Sequence, residues 1–99
     1  MKVRGKAQFD PVIHSPHRLR ICAALDSVDE AEFELLREVT GVSESVLSKQ
    51  VKTLEEAGYV TTTKATRASR VRTWASITNR GKAAYQGHVM ALQEIVSGL

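Results

Sequence analysis

Acidic residues are missing from one long stretch of this chain: none occurs between Glu56 and Glu94, although six basic residues do, Lys64, Arg67, Arg70, Arg72, Arg80 and Lys82. Cysteine is nearly absent as well. With Cys22 alone, no intrachain disulfide can form, and a reducing cytoplasm suits the chain. Cys22 lies between Ile21 and Ala23 and reads as a small buried hydrophobe. No apolar run approaches the roughly 18 residues of a membrane span. The basic start, Met1-Lys2-Val3-Arg4-Gly5-Lys6, has no apolar segment behind it and is not a signal peptide. Three histidines and one cysteine offer no closed metal-site spacing, so His14, His17 and His88 read as capping or helix-surface residues. No Gly-rich elbow or oriented acid accompanies them, so no enzyme is indicated, and no cofactor is expected.

What is present is the composition of one small domain, 42% hydrophobic and 25% charged over 99 residues. The net charge of +3 is mild, but it is unevenly spread. Asp26, Asp29, Glu30, Glu32, Glu34 and Glu38 face only Arg37 between positions 26 and 38, while the basic residues gather elsewhere. One face suited to a polyanion is implied.

Residues 1–8 read as a flexible basic tail and 9–99 as a single domain. Asp10-Pro11 can open a first helical turn, and Ser15-Pro16 can cap and open a helix carrying Leu19, Ile21, Cys22 and Leu25. Glu30 to Val39 reads as a second helix, with Phe33, Leu36 and Val39 on one face and Leu35 beside them. Gly41 suits a left-handed position after it. Ser43 caps a third helix in which Leu47, Val51 and Leu54 face the core. Tyr59–Lys64 and Arg70–Ile77 are β-rich, with residues 65–69 as the turn region. Thr78 or Asn79 caps a last helix reaching to about Ser97. The fold class is α+β, mainly α: a winged helix-turn-helix with a three-helix core, a two-stranded wing and a long C-terminal helix.

Two helices joined by a short Gly-containing turn place the second across the first, where its exposed side can enter a DNA major groove. On the helix spanning residues 43–57 that side offers Ser43, Glu44, Ser45, Val46, Ser48, Lys49, Gln50 and Lys52. Ser and Gln suit base edges, Lys suits guanine or phosphate, Val46 suits a thymine methyl, and Glu44 suits cytosine N4 or the helix terminus. In the wing, residues 60–77, Lys64, Arg67, Arg70 and Arg72 suit phosphate backbone and minor groove. Trp74 is expected to cover the helical core.

Three stretches carry a family likeness. They are Asp10 to Ile21, the segment from Val42 to Val60 with its Leu54-Glu55-Glu56-Ala57-Gly58-Tyr59-Val60 exit, and Arg72 to Ala84 with its Thr78-Asn79-Arg80-Gly81 helix start. Together they resemble the small winged-helix regulators related to the MarR and ArsR families, over roughly residues 9–97. The resemblance implies a homodimeric transcriptional regulator. With the helix-turn-helix spacing and the acid-free basic wing, the expectation is a sequence-specific repressor acting on double-stranded DNA. The chain lacks the Asp-x-Arg pair frequent in MarR wings and the cysteine-rich motif of ArsR metal sensors. On the last helix Tyr85, Val89, Leu92, Val96 and Leu99 form a seam at 4-3-4-3 spacing, suited to a homodimer or to packing on the first helix. A small-molecule effector would bind between the dimer helices and the DNA-binding core. The alternative to DNA binding is a winged-helix module that engages proteins and leaves its third helix unread.

Overall fold

The computed structural model describes residues 6–98. Along the chain run α1 (Pro16–Asp26), β1 (Ala31–Glu32), α2 (Phe33–Thr40), α3 (Glu44–Glu56), β2 (Val60–Arg67), β3 (Arg70–Ile77) and α4 (Asn79–Val96). The three strands form one antiparallel sheet in the order β1-β3-β2. This is the expected winged helix-turn-helix with one strand added. No described helix is long and apolar enough to cross a membrane.

Three of the four helices, α1, α3 and α4, start where a hydroxyl can take an orphan amide, whereas α2 follows Glu32 without a side-chain cap. Ser15 Oγ accepts from Arg18 N–H, Ser43 Oγ from Val46 N–H and Thr78 Oγ1 from Gly81 N–H. Pro16 occupies the first turn of α1, where its missing N–H costs nothing. The turn at Asp10-Pro11 stays a turn. There Asp10 Oδ1 accepts from the amides of Val12 and Ile13, which leaves Ile13 fully buried.

The core is built from Ile13, Ile21, Cys22, Leu25, Leu36, Leu47, Val51, Leu54, Val60 and Ala75. Burial pushes the Cys22 thiol up to about 12, so it is an inert hydrophobe at neutral pH. In α2 Leu36 and Thr40 are buried and Phe33 packs against the core, while Val39, expected on the same face, does not. Leu35 and Val39 remain about half exposed, and Thr40 is buried because its hydroxyl donates to the Leu36 carbonyl at 2.7 Å.

The second helix begins at Phe33 rather than Glu30. Ala31 and Glu32 are drawn into β1, where they pair with Ala75 and Trp74. The first wing strand also runs further than expected, to Arg67 instead of Lys64, while the second spans Arg70–Ile77 as expected. They close on a two-residue turn, Ala68-Ser69, with φ of 52° and 65°. Both residues occupy the left-handed region that Asn and Gly normally supply in such hairpins, and so neither announces the turn in sequence.

One junction fixes α3, the wing and α4 relative to one another. The α3 helix ends in a Schellman arrangement, with Tyr59 N–H to the Leu54 carbonyl and Gly58 N–H to the Glu55 carbonyl, and Gly58 takes φ of 79°. Thr78 then binds the same corner twice, its N–H to the Tyr59 carbonyl and its hydroxyl to the Gly58 carbonyl. Gly81 packs so close that a Cβ would overlap the Tyr59 carbonyl oxygen. These contacts are the physical content of the Leu-Glu-x-x-Gly-Tyr exit and the Thr-x-x-Gly helix start.

Candidate nucleic-acid interface

On α3, burial of Leu47, Val51 and Leu54 turns the opposite side outward. Ser43, Glu44, Ser45, Val46, Ser48, Lys49 and Lys52 are all exposed, forming one polar, net-basic surface on the helix. Gln50 stands apart from them. It is half-buried, and its Oε1 accepts from Arg18 Nη1 at 2.7 Å, while Arg18 Nε donates to the Val12 carbonyl. Gln50 thus ties α3 to α1 through a charge-assisted bond instead of presenting a free amide.

The wing divides its cations. Lys64, Arg67 and Arg70 are exposed, whereas Arg72 is half-buried and its Nη1 is bound to Glu32 Oε1. That ion pair became possible only because β1 places Glu32 beside Trp74. Sequence patterning offered no signal for it, since two residues are too few to show strand periodicity. Trp74 lies on the sheet face opposite the buried Ala75, so it does not cover the helical core as expected. The Arg67 guanidinium carbon sits 4.6 Å from the centre of its ring. A cleft of about 480 Å³ separates the wing from the helices, with Glu32, Arg37 and Glu44 on one side and Arg70 and Arg72 on the other.

The two cations at the start of α4 are otherwise engaged. Lys82 Nζ donates to the Asp26 carbonyl at 2.7 Å, with the Asp26 carboxylate 3.8 Å away. Arg80 lies over the Tyr59 ring at 5.9 Å. Both belong to the junction of α4 with the core, and the contact with Asp26 offsets Lys82's unfavourable place at a helix N-terminus.

The histidines are not surface residues throughout. His88 is fully buried on α4; its Nδ1 accepts from Asp10 N–H at 2.9 Å and its Nε2 lies 3.2 Å from His14 Nδ1. Burial, and then the neighbouring His14, lower its pKa from the ordinary histidine value. Tyr59 Oη donates to Asp10 Oδ2 at 2.6 Å, which raises the phenol's pKa. The segment before α1 is thereby fastened to α4, and Gln8 N–H extends the seam to the Gly87 carbonyl at 2.9 Å. No group of three or more His, Cys, Asp or Glu side chains able to hold a metal ion occurs among the described residues.

Along α4, Tyr85 packs against the chain's own core, Val89 and Leu92 are half-buried, and Val96 is 83% exposed. Val89, Leu92 and Val96 line an open apolar groove. Leu99 lies outside the described residues, as do residues 1–5 of the expected tail.

A helix-turn-helix followed by an antiparallel wing, with an exposed polar face on its second helix, defines the winged-helix class of DNA-binding domains. The family pattern for the winged helix DNA-binding domain matches residues 17–96, and the chain belongs to that family. Protein MJ0432 of Methanocaldococcus jannaschii, itself uncharacterised, is 31% identical over 84 residues, which cover 85% of this chain and 91% of that protein. The structure of a transcriptional regulator homologue from Pyrococcus horikoshii superimposes with a TM-score of 0.81 at 28% identity, over 88% of this chain and 86% of that one. The fold is shared with the zinc-responsive MarR family member ZitR of Lactococcus lactis, with a TM-score of 0.57 at 20% identity over 99% of this chain and 63% of that one.

Proposed function

We propose that this protein is a sequence-specific, homodimeric transcriptional regulator, a repressor, whose α3 enters the major groove of double-stranded DNA while the wing grips the backbone and the adjacent minor groove. One observation carries the reading: Lys49 and Lys52 on α3 and Lys64, Arg67 and Arg70 on the wing are all exposed, and none is paired with a carboxylate among the described residues. Unpaired cations on both projecting elements of a winged helix fit phosphates that flank a groove. Ser45, Val46 and Ser48 stand between them as the base-reading side chains. A protein-docking winged helix needs no such cations. The exposed end of α4 supports pairing of two copies through Val89, Leu92 and Val96, which would set two recognition helices about one DNA turn apart.

The test is a salt titration of duplex binding. Five phosphate contacts per subunit, about ten for the dimer, give a slope of log affinity against log salt of roughly −9. Arg67→Ala/Arg70→Ala reduces that slope by roughly 2 per subunit and weakens all sequences alike. Absence of binding at low salt, or indifference to both substitutions, overturns the reading.

A further inference from the structure

Trp74 is the chain's one tryptophan, and its place in the fold matches none of the usual uses of a buried indole. It is not core, because its strand neighbour Ala75 takes the core-facing position. It is not held by a hydrogen bond, because its Nε1 is covered and has no partner among the described residues. It sits in the middle strand of the sheet, directly opposite Thr63 on β2 and Glu32 on β1. What it carries is the guanidinium of Arg67, which reaches back from the wing tip to lie over the ring.

Two of the three arginines on this face, Arg67 and Arg72, are therefore held in chemically different ways. Arg72 spends its Nη1 donor on the Glu32 carboxylate. Arg67 is held by its π face, and a stacked guanidinium keeps the donors at its edge free for a phosphate. Stacking also fixes a side chain that otherwise loses much rotamer freedom on binding. We propose that Trp74 is a positioning residue of the DNA interface: it presents Arg67 to the phosphate backbone in a preformed orientation, while Glu32 withholds Arg72. The proposal rests on the DNA-binding reading above, which it deepens by ranking the wing cations. Arg67 contributes more than Arg72, and it does so through the indole.

The test is a double-mutant cycle on duplex affinity with wild type, Trp74→Leu, Arg67→Ala and the pair, with Trp74→Phe as the conservative variant. Trp74→Leu should weaken binding by roughly 2- to 5-fold, the range expected for one cation–π contact at an exposed site. The double variant should lose little beyond Arg67→Ala alone, and Trp74→Phe, which keeps an aromatic face, should recover most of the loss. Thermal melts select variants that remain folded. Because Trp74 is the sole indole, its emission in the free protein gives an independent arm, and Arg67→Ala should shift it to the red. Losses that simply add, tighter binding by Trp74→Leu, or emission unmoved by Arg67→Ala each overturn the proposal. Wild-type protein that binds no DNA overturns the underlying reading instead, and the emission arm then still reports whether the stack forms.

Discussion

Nδ1 of His14 lies 3.2 Å from Nε2 of the fully buried His88, and the other nitrogen of His88 accepts the Asp10 amide. An acceptor at Nδ1 leaves the proton of neutral His88 on Nε2, where it points at His14. Phe9 packs against both rings, with centroids 4.6 and 4.8 Å away. A second proton on His88 would face the Asp10 N–H, donor against donor, in a site that desolvates charge.

Fold stability should accordingly depend on pH in the mildly acidic range. The folded pKa of His88 lies below the ordinary 6.5, so the unfolded chain binds more protons between the two values. This group's contribution is fully present above pH 6.5 and is lost as pH falls through that window. Melting temperature measured from pH 7.5 to 5 should decline, and His88→Gln should flatten the profile. An unchanged pH dependence in His88→Gln would show that other groups dominate.

Gly81 and Gly41 should respond differently to the same substitution. Gly81→Ala drives a Cβ into the backbone carbonyl of Tyr59, an atom that cannot swing aside, and should cost on the order of 3 kcal/mol. Gly41→Ala meets open space and strains only its φ of 72°, costing about 1–2 kcal/mol. Urea melts of the two variants check the order. Equal losses would mean that the junction can open without penalty.

The wing turn holds Ala68 and Ser69 at positive φ, where side chains are disfavoured. Ala68→Asn/Ser69→Gly supplies the residues such a turn favours and should stabilise the domain by about 1 kcal/mol, read as a higher urea midpoint with unchanged slope. A lower midpoint would contradict the two-residue turn.

The open apolar end of α4 should be covered by a second copy. Sedimentation of the wild-type chain should give a dimer, and Val96→Glu, which changes an 83% exposed side chain, should yield folded monomer. A monomeric wild type would leave α4 packed only within its own subunit.

Much of this architecture was legible in the sequence because local chemistry and tertiary packing agree. Ser15, Ser43 and Thr78 sit at caps, Gly41 closes α2, and Leu47, Val51 and Leu54 face the core. The exposed cations of α3 and the wing follow directly from that pattern. Apart from the local Ala68-Ser69 turn and the exposed Val39 of α2, the missed features depend on pairings between distant residues. Strand β1 exists because Ala75 and Trp74 offer an edge, and it brings Glu32 to Arg72. Gln50 looked free for base contact until α1 brought Arg18 within 2.7 Å. His88 looked like a surface residue until the segment before α1 covered it.

The most direct measurement is selection of duplexes from a random pool with the purified protein, followed by its affinity for the selected and a scrambled sequence at one salt concentration. A homodimer with α3 in the major groove should enrich a palindromic site with half-sites roughly 10 base pairs apart. It should prefer that site by about 10³-fold or more, and Ser45→Ala/Ser48→Ala should erode the preference more than the affinity for scrambled DNA. No enriched sequence, or equal affinity for both duplexes, would contradict sequence-specific readout by α3.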